Sequence, residues 1–265
     1  MYEFFLWLFK KRTEPFEISF LNFFHILYFA VILITTIALS VYLSKNSDKR
    51  KRALRRLAYA LLFLYLFDFS IQPFVTSDFT LNIDKLPFHL CTVLAPVVAF
   101  TEFNPKFKRI KEPVAFLAVA SAVMYIVYPG SAIGDISPFT YKILQTFIYH
   151  GVLFAWGVNT ILSGEFTPSI KNAYKSLIGI LAIAVWATFG NITYNKSYLD
   201  KVPDAPHSDW FFLTGSSFDF LLPPYVMPFV TIGAVFGTVL ALYGIYYLLI
   251  YFYKRKNKKS SQNGD

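Results

Sequence analysis

The chain is poor in the residues that mark soluble proteins. One of its 265 residues is cysteine, and 15% are Asp, Glu, Lys or Arg. Soluble domains carry roughly 25% charged residues. A lone cysteine excludes a disulfide within the chain, so cysteine usage says nothing of a redox compartment. The apolar stretches lack charged stripes, which excludes a soluble helical bundle. No internal repeat is visible, so an inverted-repeat transporter gains no support. His25, His89, His150 and Cys91 are metal-ligating residue types, but no HxxxH or CxxC spacing joins them. No metal and no other cofactor is expected.

What is abundant is apolar. Hydrophobic residues make up 55% of the chain and aromatic residues 20%. They lie in runs of about 17 to 25 residues, the length of a helix that crosses a hydrocarbon core. The expected fold is all-α and polytopic, with about seven transmembrane helices near 18–44, 57–76, 86–101, 113–130, 139–163, 173–195 and 224–253. Together 1–253 form one helical membrane domain. The third run is the shortest and holds Pro96, which predicts a kinked or incomplete span. The opening MYEFFLWLFKKR reads as an interfacial amphipathic helix over 1–15. It is not a signal peptide, because its basic residues follow the apolar stretch. The basic tail, 254–265, is expected to be disordered and cytoplasmic.

Lysine and arginine set the orientation. With the C-terminus cytoplasmic, the inner segments 45–56, 102–112, 164–175 and the tail hold 18 basic residues, against 7 outside. The N-terminus is then outside and the C-terminus inside, in a multi-pass cell-membrane protein. The net charge of +9 needs no nucleic acid. Anionic headgroups at the cytoplasmic face attract such segments.

Polar residues inside apolar runs are costly in lipid and mark candidate sites. Here they are Asn22, His25, Asp68, Gln72, His89, Cys91, Gln145, His150, Asn191, Tyr194 and Asn195. With this orientation nearly all fall in the outer half, and the inner half is apolar by comparison. Tyr65, Asp68 and Gln72 share a helical spacing, as do Thr188, Asn191 and Asn195, and Thr146 and His150. Stripes turned inward would line an outward-open polar cavity. Turned to one another, they would be helix-packing contacts.

The cysteine sits in KLPFHLCTVL. On a helix His89 and Cys91 would lie about 200° apart. An imidazole partner for the thiol must then come from another segment, either His25 or His150. Pro87 suits a first helical turn, which would put Cys91 one turn further in. The positive end of a helix stabilises negative charge, as on a thiolate. A cysteine is also a common small buried hydrophobe.

LPFHLC resembles the LPLHLC signature of the YwaF-like integral membrane family of bacteria, and FIYHGVLFAWG resembles the segment around that family's HG dipeptide. GNITYNKSYLDKVP and DFLLPPYVMPF match later family segments less closely: the YMYL run is not intact, and the WPWY aromatics are reduced to Pro224 and Tyr225. The likeness spans roughly 16 to 252. A related vertebrate membrane protein is a cysteine-dependent acyltransferase of ether phospholipids. By this resemblance Cys91 would be the nucleophile, His150 the general base, and His89 an orienting residue. His25, Asp68, Gln72, Gln145, Asn191, Tyr194 and Asn195 would support the site or bind substrate, with 196–223 as a headgroup-level lid. Membrane lipids would be the substrates of a thioester-forming acyltransferase or hydrolase. The alternatives are a transporter or ligand-binding protein with an outward cavity, and a membrane scaffold.

Overall fold

A computed structural model describes residues 8, 16–75, 85–128, 137–199, 209–213 and 223–262. The interfacial helix expected over 1–15 lies, apart from Leu8, outside the described residues. So does the Gln72 side chain.

Seven α-helices occupy the described residues: α1 (Phe23–Ser44), α2 (Ser47–Val75), α3 (Leu90–Phe103), α4 (Lys111–Val127), α5 (Tyr141–Ile161), α6 (Ala173–Leu199) and α7 (Met227–Gln262). They coincide with the seven apolar runs, and no strand occurs among the described residues. Among the described residues four stretches are long and apolar enough to cross a membrane, Phe23–Ser44, Pro105–Val127, Ile170–Lys196 and Met227–Arg255. α3 has 14 residues and contains Pro96, so it is the short element its composition implied. At about 1.5 Å per residue it reaches roughly two thirds of the way across a 30 Å core.

Two boundaries depart from expectation. The basic stretch read as an inner loop, 45–56, is helical from Ser47, so α2 starts ten residues early. Asn46 explains it: its Oδ1 accepts the Lys49 N–H at 2.8 Å and caps the helix. The Lys, Arg, Leu and Ala that follow are strong helix formers. The tail expected to be disordered from 254 continues α7 to Gln262. Lys and Arg are good helix formers, and positive charge is favoured at the C-terminal end of a helix dipole.

α4 is the central post. Of its apolar window 72% is buried, against 11% for α1 and 17% for α7. Its residues Lys111 to Ala122 are all buried. The small residues Ala115, Ala118, Ala120, Ser121 and Ala122 permit this, because they let neighbouring backbones approach. Gly157 of α5 is the closest approach: a Cβ there would come within 2.7 Å of Val119 and 3.0 Å of the Ala115 carbonyl. On the other side Tyr243 of α7 stacks on Phe116, with centroids 3.7 Å apart and planes 9° apart. α1, α2, α6 and α7 turn large apolar side chains outward, among them Ile34, Phe63, Val185 and Phe229. An all-round apolar exterior of this kind matches lipid contact.

One end of the bundle is tied by Arg50. Its guanidinium donates to the Leu43 carbonyl at the end of α1 and to the Leu162 carbonyl at the end of α5. One basic side chain thus satisfies carbonyls at two helix C-termini.

Candidate functional site

The site is built where the chain enters α3. Lys85 is anchored first. Its ammonium pairs with the Asp68 carboxylate of α2 at 2.7 Å, and its carbonyl accepts the Tyr65 hydroxyl at 3.2 Å. Asp68 is 3% exposed and also accepts the Tyr141 hydroxyl at 3.1 Å. The lone carboxylate that sequence marked as expensive therefore sets the start of the KLPFHLC stretch.

Pro87 does not open the helix, contrary to expectation. The Phe88 N–H bonds back to the Leu86 carbonyl at 2.8 Å, a three-residue turn centred on Pro87. The fixed proline φ suits the centre of such a turn. The Pro87 carbonyl accepts the Trp186 indole N–H at 2.7 Å. The Phe88 ring lies between Trp186 and Trp210, with centroids 5.0 Å and 4.6 Å away. Gly190 of α6 makes room for it, since a Cβ there would come within 2.6 Å of that ring. α3 then begins at Leu90, with His89 as its extended N-cap and Cys91 as its second residue. His89 lies ahead of the helix in extended backbone, so the helical separation of about 200° from Cys91 does not hold. Cys91 lies nearer the helix start than expected.

His150 faces this turn from α5. Its Nδ1 is 2.8 Å from the Thr146 carbonyl, which can only accept, so Nδ1 carries the proton. Nε2 is then a lone-pair acceptor; it is buried and has no hydrogen-bond partner. The ring stacks on Tyr125, with centroids 3.9 Å apart and planes 6° apart. Its chain neighbour Tyr149 donates its hydroxyl to the Cys91 carbonyl at 2.7 Å, and the Tyr149 ring stands edge-on to the imidazole at 5.3 Å. No hydrogen bond joins the thiol to the imidazole in this resting arrangement. Buried imidazole nitrogens are normally paired. An unpaired one in its basic form is suited to taking a proton.

The other candidates divide. His25 is occupied at both nitrogens: Nδ1 accepts the Leu21 N–H at 3.0 Å and Nε2 donates to the Ile126 carbonyl at 2.8 Å. It locks α1 to the end of α4, with both ring nitrogens taken up by backbone groups. Asn22 caps α1 through the His25 N–H. His89 Nδ1 accepts the Phe211 N–H at 3.2 Å, so its proton is on Nε2. Asp68 orients neither His25 nor His150, whose tautomers are set by backbone carbonyls. Asn191 pairs with the backbone of Trp210 at both ends, accepting its N–H at 2.9 Å and donating to its carbonyl at 3.1 Å. Both ends of its side-chain amide are thus engaged by the backbone of one residue. Tyr194 packs edge-on against Trp210 at 5.6 Å. Asn195 is half-buried near the end of α6, and Gln145 is half-buried with its carbonyl oxygen 3.4 Å from the Thr146 hydroxyl. The expected stripe on α6 fails at Thr188, which is exposed and bonds back to Ala184.

Four contributors went unnoticed in the sequence: Lys85, Tyr125, Tyr149 and Trp210. Only Tyr149 carried a signal, as the neighbour of the histidine in the HG segment. The segment 209–213 is the described part of the expected lid. Trp210 and Phe211 are buried. Phe211 and Phe212 have φ of 64° and 52°. Two bulky residues in left-handed backbone cost on the order of 1–3 kcal/mol each, which surrounding contacts must offset.

The half read as apolar holds a second polar cluster. Lys111 pairs with Glu102 and with Glu165, both at 2.8 Å. The Trp156 indole donates to Glu102 at 3.0 Å. Glu112 accepts from the Ser169 N–H, the Asn172 amide and the Tyr243 hydroxyl at 2.9, 2.7 and 3.0 Å. The cluster's charged members Glu102, Lys111, Glu112 and Glu165 fall in the segments expected to be inner connections, 102–112 and 164–175. They lie at the far end of α3 from Cys91, about 16 Å along its axis.

Seven packed helices with an apolar exterior and buried polar clusters at both ends define a multi-pass membrane protein. Residues 20–246 match the model of the TMEM164 family, and the chain belongs to that family. No curated protein and no solved structure matches it.

Proposed function

We propose that this protein is a lipid acyltransferase that carries the acyl group on Cys91, with His150 as general base. One observation supports this most: the unpartnered Nε2 of a buried imidazole lies one residue from Tyr149, whose hydroxyl is on the Cys91 carbonyl. The resemblance of LPFHLC and of the His150–Gly151 pair to the YwaF-like family, to which a thiol-dependent vertebrate acyltransferase is related, points the same way.

In the first step the Cys91 thiol proton passes to His150 Nε2. The sulfur attacks an ester carbonyl carbon of a phospholipid. A C–S bond forms, the ester C–O bond breaks, and the departing lysolipid oxygen takes the proton from His150. In the second step His150 takes the proton of an acceptor hydroxyl. That oxygen attacks the thioester, the C–O bond forms, the C–S bond breaks, and the departing thiolate takes the proton back from His150. The resting structure has no thiol–imidazole hydrogen bond, so the reading requires the two to meet, directly or through one water, when substrate is bound. The Cys91 turn opens α3, so charge that develops on sulfur meets the positive end of a helix. The protein sits in the cell membrane with its C-terminus cytoplasmic, anionic headgroups bind its basic segments, and the site faces the outer leaflet.

The test is intact-protein mass after incubation with phospholipid vesicles. A fatty-acyl adduct is expected on the wild type, none on Cys91→Ser, and slowed formation in His150→Gln. An unmodified wild type, or an adduct that persists in Cys91→Ser, overturns the reading. The transporter reading loses ground on specific contacts: His25, Asp68 and Asn191, which were to line an open cavity, are each bonded to neighbouring elements.

A further inference from the structure

Residues 209–213 are held over the start of α3 from three helices. Asn191 of α6 brackets the Trp210 peptide through both its N–H and its carbonyl. The ring of His89, the N-cap of α3, accepts the Phe211 N–H at 3.2 Å. Thr231 of α7 donates its hydroxyl to the Phe212 carbonyl at 3.0 Å. The Trp210 ring is 1% exposed and presses on Phe88, which in turn fills the space left by Gly190. Trp210, Phe211 and Leu213 are all buried, though they belong to a connecting segment. Connecting segments normally run over the surface. A buried, aromatic segment in left-handed backbone, fastened at three points, is a plug. It contacts Phe88 and His89, the residues that lead into the helix turn carrying Cys91.

We infer that this plug, positioned by Asn191 and His89, stoppers the aqueous end of the thiol site and so decides the fate of the thioester. The inference rests on the proposed acyltransferase reading and goes past it, to the choice between transferase and hydrolase. A thioester on Cys91 can be attacked by two oxygens. If a lipid hydroxyl attacks, a C–O bond forms, the C–S bond breaks, the hydroxyl proton goes to His150 Nε2, and the product is a new ester. If water attacks, the same bonds form and break and the product is a free fatty acid. The two differ only in which oxygen arrives. With the outer end filled by Trp210 and Phe211, the approach left to Cys91 is sideways between helices, from the acyl region of the bilayer. That approach selects a lipid acceptor. Asn191 and His89 are positioning residues in this scheme. Both have the chemistry for it: the amide offers one acceptor and one donor to the N–H and the carbonyl of a single residue, Trp210, and the imidazole offers an acceptor to the next N–H.

The experiment uses the full chain in phosphatidylcholine vesicles containing lysophospholipid acceptor. Two quantities are read in wild type, Asn191→Ala and Thr231→Val. One is the ratio of free fatty acid to transferred ester. The other is the labelling rate of Cys91 by a charged, membrane-impermeant thiol reagent, relative to a neutral one. Opening the plug is expected to raise both by roughly fivefold in Asn191→Ala, the factor that corresponds to about 1 kcal/mol. A smaller rise is expected in Thr231→Val, which loses one of three tethers and keeps the packed core. Wild-type values in both variants overturn the inference, even where the wild type transfers acyl groups. Should the wild type form no acyl adduct, the acyltransferase reading fails, and the labelling ratio still tests the plug. A variant that does not fold is recognised by loss of its helical circular dichroism and of its sharp elution in detergent, and Thr231→Val then decides.

Discussion

The Tyr149 hydroxyl donates to the Cys91 carbonyl at 2.7 Å, which ties the residue before the proposed base to the backbone of the proposed nucleophile. A side chain from α5 thereby sets the register of α3 against it. Tyr149→Phe keeps the ring and removes the bond. Net loss of one such bond costs about 1 kcal/mol of stability. Adduct formation is expected to slow by more than that stability loss explains, because the thiol drifts from His150. Equal acylation rates in Tyr149→Phe and wild type would show that the bond only packs the helices.

Asp68 and Lys85 make a pair that is mostly buried, with side chains 4% and 21% exposed. Removing one partner of such a pair leaves the other charge uncompensated, at a cost of about 3 kcal/mol. Asp68→Asn and Lys85→Met are each expected to lower the melting temperature in detergent. The double variant is expected to lose less than the two single losses combined. Strict additivity would mean that Asp68 acts mainly through Tyr141.

Much of the fold was legible because lipid imposes it. Apolar runs long enough to span give helices, and all seven were read. What escaped depended on partners distant in sequence. Glu102, Lys111, Glu112 and Glu165 look like loop charges until α4 is seen to be buried along its first twelve residues. The start of α3 escaped because a three-residue turn around Pro87 competes with a proline-led helix, and local sequence fits both. His25 and His150 could not be told apart as partners of the thiol. Their difference lies in which backbone carbonyls face them, Ile126 and Thr146, and in the Leu21 N–H that fills the second nitrogen of His25.

Lys111 tests whether the two polar clusters are separable. Its ammonium lies between Glu102 and Glu165, and it is 4% exposed. Lys111→Met removes the only charge offsetting these two carboxylates in the described contacts, at a cost of about 3–5 kcal/mol. The expected result is a lower melting temperature with little change in acylation per folded molecule, since the cluster lies far along α3 from Cys91. A selective loss of acylation in a stable variant would couple the two ends.

Gly190 offers the sharpest structural test. A methyl group there would come within 2.6 Å of the Phe88 ring, closer than real Cβ contacts allow. The ring cannot retreat easily, because Trp186 and Trp210 flank it. Relief must come from moving the turn that precedes Cys91, or from displacing Trp210. Overpacking of this kind costs about 1–3 kcal/mol, small enough for the seven helices to persist. Gly190→Ala is therefore expected to insert and remain helical by circular dichroism while acyl-adduct formation falls by tenfold or more, about 1.4 kcal/mol. A wild-type adduct rate in Gly190→Ala would mean that the Phe88 turn does not position the thiol, and the link from α6 through Phe88 to Cys91 would have to be abandoned.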